Sequence, residues 1–93
     1  MKHSKLLDRV MELLYGLKDE DSSFDLGNLL SKHEIHISEA EMIRVARRLE
    51  EERFANVQIH TQGALIDLTS QGVQFCEESS FTKVAYPIIQ LSE

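Results

Sequence analysis

Apolar residues return every three or four positions through the first segment, HSKLLDRVMELLYGLK, where Leu6, Val10, Leu13, Leu14 and Leu17 share one side of a helical wheel. Asp8, Arg9 and Glu12 fall elsewhere on it, so the period predicts an amphipathic helix over residues 3–18. The acidic, serine-bearing KDEDSS has no such period and ends it. Phe24 then reads as a short extended position, and Asp25 as the N-cap of a second helix running from Leu26 to about His33. Leu26, Leu29 and Leu30 form its apolar side, and EIHI at 34–37 is a connector anchored by its isoleucines. Ser38 to Glu41 spells S-x-x-E, in which the serine oxygen caps a free amide and the glutamate reaches back to another. A third helix therefore spans residues 39–53 and buries Met42, Val45, Ala46 and Leu49. At about 100° per residue, Arg44, Arg47 and Arg48 gather on nearly the opposite side.

Beyond this helix the period shortens to two. Val57 and Ile59 alternate with Asn56 and Gln58, and Leu65, Ile66 and Leu68 continue as a second strand. The turn between them is His60-Thr61-Gln62-Gly63, with Gly63 suited to the positive φ of a hairpin. Thr69 caps a last helix through about Glu78, whose apolar residues are Val73, Phe75 and Cys76. Pro87 ends or prevents a long helix in the tail. Helix, extended piece, helix, turn, helix, hairpin, helix is the order of a winged helix-turn-helix. The expected fold is thus α+β, with a three-helix core, a two-stranded β-hairpin wing and a C-terminal helix. Residues 1–80 form the winged-helix domain, and 81–93 form an apolar tail for packing or dimerisation.

Composition narrows what such a domain can do. Ninety-three residues, 42% of them hydrophobic, suit one small core. The formal charge of −6 repels a polyanion on average, and non-specific DNA affinity comes largely from Lys and Arg on phosphates. An acidic domain binds DNA only if its few cations share a face. Asp8, Arg9 and Glu12 interrupt any signal-peptide core, and no stretch approaches the ~20 apolar residues of a membrane span. A soluble cytoplasmic protein with no membrane partner is expected. Cys76 is alone, so no intrachain disulfide forms.

The closing segment DLTSQGVQFCEESSFTKVAY, 67–86, carries a fuller pattern at Leu68, Thr69, Gly72, Phe75, Glu78, Ser79, Lys83 and Tyr86. It resembles small bacterial and phage winged-helix proteins of the YjcQ-like type. In these, Leu-Thr-x-x-Gly follows the second wing strand, ahead of an aromatic, an acidic residue, a serine and Lys-x-x-Tyr. Pro87 departs from that type's helical tail. The resemblance implies a winged-helix fold and a DNA-binding or regulatory role.

Winged helices that bind DNA place the third helix in the major groove and the hairpin on backbone or minor groove. Arg44, Arg47 and Arg48 are the basic cluster on that helix, and arginine meets phosphate or a guanine edge in bidentate fashion. Thr61 and Gln62 of the wing can hydrogen-bond a backbone, and Lys2 and Lys5 can add phosphate contacts from the first helix. The opposing reading is a solvated face in which Glu41, Glu51 and Glu52 pair with the three arginines. The hairpin from Ala55 to Leu68 also has no Lys or Arg. Two partners stay open: double-stranded DNA, bound by a transcriptional regulator, or a basic protein, bound by an acidic adaptor, phage-type inhibitor or DNA mimic.

Other chemistry finds little support. His33 and His36 lack the third and fourth ligands of a metal site, and Cys76 reads as a small buried residue. With no glycine-rich phosphate loop and no nucleophile signature, neither a cofactor nor an enzyme is expected. The apolar tail residues Phe81, Tyr86, Ile88 and Ile89 exceed what the core needs. They either form a homodimer interface or fold back over the first helix.

Overall fold

The computed structural model describes residues 2–20, 22–61 and 63–84. Five helices and three strands follow in the order α1 (His3–Tyr15), β1 (Phe24–Asp25), α2 (Leu26–Lys32), α3 (Glu39–Glu51), β2 (Ala55–His60), β3 (Gly63–Leu68), α4 (Ser70–Glu78) and α5 (Phe81–Val84). The helix-turn-helix and the hairpin wing stand where the residue pattern predicts them.

The sheet has one strand more than the expected hairpin. Its order is β1-β3-β2, all antiparallel, because Phe24 and Asp25 pair with Ile66 and Leu65. Phe24 is therefore a ladder residue, which two residues of extended sequence are too short to reveal. In the hairpin, Ala55 faces Leu68 and His60 faces Gly63, whose φ of +151° is open only to glycine at little cost.

Leu6, Leu7, Val10, Leu26, Val45, Leu49 and Ile66 form the most deeply buried part of the core. Helix α1 ends at Tyr15 rather than near residue 18, with Gly16 as its C-cap. Its buried stripe also includes Leu7 and Met11, while Leu13 and Leu17 are only partly covered. The stripe is wide because α4 and α5 both pack on α1.

Local caps explain the boundaries. The Asp25 carboxylate accepts from the Asn28 amide at 2.9 Å, and Ser38 Oγ accepts from the Glu41 amide at 3.1 Å. The second half of the predicted capping box is absent, since no bond runs from the Glu41 carboxylate to the Ser38 amide among the described residues. Helices α2 and α3 end in the same turn. Ile35 donates to the Leu30 carbonyl and Phe54 to the Leu49 carbonyl, while Glu34 (φ 58°) and Arg53 (φ 64°) occupy the left-handed position. Each turn carries an apolar residue back onto the core, which is why two charged residues tolerate a conformation usually given to glycine.

Thr69 and Gly72 tie the second half of the chain together. The Thr69 hydroxyl donates to the Arg53 carbonyl at 2.7 Å and accepts from the Gly72 amide at 3.0 Å. A Cβ on Gly72 would lie 2.1 Å from the Phe54 carbonyl oxygen, so α4 can start here only with glycine. Phe54 then stacks on Phe75, centroids 4.3 Å apart, and meets Phe81 edge-on at 5.8 Å.

Phe81 is thereby removed from the candidate dimer surface: it is 4% exposed and belongs to the core of its own chain. The start of the segment set apart as a tail, 81–84, packs on α1 as the fold-back alternative requires. Tyr86, Pro87, Ile88 and Ile89 lie outside the described residues.

Candidate nucleic-acid interface

Helix α3 is held from one side only. Met42, Val45, Ala46 and Leu49 are buried and Ile43 is partly covered, while Arg44, Arg47 and Arg48 between them emerge exposed on the other side. The three predicted arginines do share a face, as the 3.6-residue period requires.

They are not equivalent. Arg47 Nη1 lies 3.0 Å from Glu50, and Arg48 Nε lies 3.7 Å from Glu52. The glutamates that pair are Glu50 and Glu52, rather than the Glu41 and Glu51 also expected from spacing. Arg48 has a second partner, its guanidinium carbon lying 5.4 Å from the Phe81 ring centroid. Arg44 makes neither a hydrogen bond nor an ion pair among the described residues. Both pairs are solvated, with side chains 40–56% exposed in one and 43% exposed in the other. Exposed pairs of this kind contribute about 0–1 kcal/mol, so a phosphate can displace the glutamate.

Acidic residues crowd the same helix. Glu39 and Glu41 stand in its first turn, where they complement the positive end of the helix dipole. That is also the end whose side chains meet base edges in a helix-turn-helix. From Ser38 to Arg53 there are four arginines and five glutamates. A groove-facing pose must therefore lead with Arg44, the arginine nearest the N-terminus, while keeping Glu39 and Glu41 off the phosphates.

The wing offers hydrogen bonds without charge. Thr61 is exposed at its tip beside exposed His60, and Gln62 lies outside the described residues. On β2, Asn56, Gln58 and His60 face solvent. Asp67 accepts from Ser23 at 3.0 Å and from Asn56 at 3.3 Å, so a carboxylate stands on β3 opposite the exposed Asn56 of β2. Arg53, absent from the predicted site, lines a cleft of about 440 Å³ with Glu50, Asn56, Gln58 and Asp67. Among the residues lining this cleft it is the one cation. Its placement follows from the left-handed turn after α3, which no residue-type signal announces.

Lys2 and Lys5 are exposed at the start of α1, and neither side chain makes a hydrogen bond or ion pair among the described residues. Arg9 is engaged by Glu12. His33 and His36 are exposed at the α2–α3 connection, and no group of three or more His, Cys, Asp or Glu side chains able to hold a metal occurs among the described residues. Cys76 is half-buried between α4 and α1, with Sγ 3.7 Å from the Met11 carbonyl oxygen. Burial pushes its thiol pKa up, with the Asp8 and Glu77 carboxylates adding to the shift, so it stays a protonated thiol at neutral pH. Among the described residues no helix is long and apolar enough to cross a membrane.

Solved structures share this architecture. A point mutant of S. aureus MepR bound to an oligodeoxyribonucleotide matches with a TM-score of 0.58 at 16% identity, over 91% of this chain and 59% of that one. This chain thus spans about three fifths of that protein's length. AF1382 from Archaeoglobus fulgidus matches with a TM-score of 0.53 at 18% identity, over 99% and 98% of the two chains. SSV1 F-93 matches with a TM-score of 0.50 at 18% identity, over 92% of each. No family model matches the chain, and no curated protein matches it. Similarity at these identities shows the fold, a winged helix, and leaves its ligand to be argued from the residues.

Proposed function

We propose that this chain is a winged-helix DNA-binding module, acting as a small transcriptional regulator, with α3 as its recognition helix. The observation that carries the proposal is the row Arg44, Arg47 and Arg48 on the one face of α3 that the core leaves free. Arg44 would lead into the major groove. Arg47 would exchange its solvated glutamate for a phosphate, Arg48 would do so once its ring contact with Phe81 is broken, and Thr61 and Gln62 would hydrogen-bond the backbone from the wing. Lys2 and Lys5 would add phosphate contacts from the start of α1. The DNA-bound MepR mutant supports the reading by fold alone. The YjcQ-like pattern from Leu68 to Tyr86 supports a regulator of that type. A homodimer through residues 85–93 would double the weak footprint of one copy.

The uncharged wing tip and the acidic first turn of α3 support a second reading, an interaction module whose acidic surface binds a basic protein. Electrophoretic mobility on mixed-sequence duplex near 50 mM salt separates the two. Non-specific binders reach Kd values of roughly 10⁻⁴ to 10⁻⁶ M even at physiological salt. A shift at tens of micromolar protein supports the DNA reading, and no shift sinks it.

A further inference from the structure

We infer that Asp8 and Phe81 are positioning residues that hold Arg48 back from nucleic acid, so that α5 sets how many arginines α3 presents. Three distant parts of the chain meet at this point. Both oxygens of the Asp8 carboxylate are committed to α5: they accept from the Phe81 amide at 2.5 Å, the Thr82 amide at 3.0 Å and the Thr82 hydroxyl at 2.7 Å. Ser80 Oγ adds a bond from the Lys83 amide at 3.0 Å. These bonds fix a four-residue helix that is too short to persist alone.

The fixed helix inserts Phe81 beside Phe54 and Phe75 and leaves its ring against the Arg48 guanidinium. Arg48 thus has an aromatic and an anionic partner, whereas among the described residues Arg47 has only Glu50 and Arg44 has neither. A guanidinium satisfied in this way gives up two partners to reach a phosphate. Freeing it from the ring raises DNA affinity by about two- to fivefold, the size of an exposed cation–π contact.

The affinity part of this inference rests on the proposed DNA reading, and its geometric part does not. The decisive variant is Phe81→Leu, which keeps the net charge and an apolar side chain but removes the aromatic face. It is expected to bind a mixed-sequence 20-bp duplex about two- to fivefold more tightly than the parent. The slope of log K against log salt should become steeper by about one, as one more phosphate contact requires. Adding Arg48→Ala should cancel both changes. A folded Phe81→Leu protein with unchanged or weaker binding overturns the inference, as does a gain that survives Arg48→Ala. A merely structural role for Phe81 would not tighten binding.

The geometric part is read by NMR without DNA. The Arg48 side-chain Hε and Hδ signals, displaced by the Phe81 ring current, should return toward ordinary arginine positions in Asp8→Asn while those of Arg44 stay. Unmoved Arg48 signals in that variant, or ordinary Arg48 positions in the parent, also overturn it. If the parent binds no DNA but the Arg48 signals behave as stated, the DNA reading fails and the positioning by Asp8 and Phe81 stands.

Discussion

Helix α3 turns Met42, Val45, Ala46 and Leu49 inward and Arg44, Arg47 and Arg48 outward, and the rest of the chain constrains the two faces very differently. On the inner face each side chain is buried against the other elements of a continuous core, so position follows from packing that tolerates few alternatives. On the outer face the partners are two solvated ion pairs and one ring contact, each of the order of 1 kcal/mol or less. The inner face decides where the helix is. The outer face decides what it can meet, and its arrangement changes when a phosphate or another carboxylate arrives. The difference can be attacked from either side.

The largest effect is expected from the inner face. Leu49 is fully buried, and Leu49→Ala should cost about 3 kcal/mol from lost transfer energy and the cavity left behind. For a domain of this size that lowers Tm by roughly 12–24 °C, measurable by thermal or urea unfolding. Gly72→Ala comes next, at about 2 kcal/mol, because its Cβ would sit 2.1 Å from backbone rather than from a side chain that can turn away. A Gly72→Ala protein as stable as the parent would show that the junction of α4 with Phe54 is looser than described.

Arg44→Ala should do the reverse on the outer face. Its unfolding midpoint should move by no more than the equivalent of about 0.5 kcal/mol, while duplex affinity falls about tenfold. If stability falls as much as affinity, the two faces are not separable. The smallest effect is a gain. Glu34 holds φ at 58°, so Glu34→Gly should stabilise by about 0.5–1 kcal/mol by relieving the left-handed strain that the core imposes on the turn.

What could be read from residue order follows the same division. The caps at Asp25, Ser38 and Thr69 were legible because a side-chain oxygen three residues ahead of a free amide is a local relation. The stripes of α2 and α3 were legible because burial follows the 3.6-residue period. The pairing of Phe24 with Ile66 was not, since it joins segments 42 positions apart through a strand of two residues. Phe81 stayed open between a dimer surface and a fold-back for the same reason: its place beside Phe54 depends on Asp8, 73 positions earlier. Among the arginines, spacing showed which side they take but not which glutamates they meet. Exposed rotamers are chosen by energies too small for a pattern to encode. Arg53 was missed because its left-handed backbone carries no glycine or asparagine to mark it.

Whether the outward face of α3 meets DNA is read from backbone amide signals while a short mixed-sequence duplex is added at low salt. Shifts are expected from Ala40 to Arg48 and around Thr61, losing amplitude together as salt is raised and in the Arg44→Ala protein. Shifts that fall on α4 or the acidic loop after α1 and leave α3 unmoved would contradict the DNA reading, as would no shift at all.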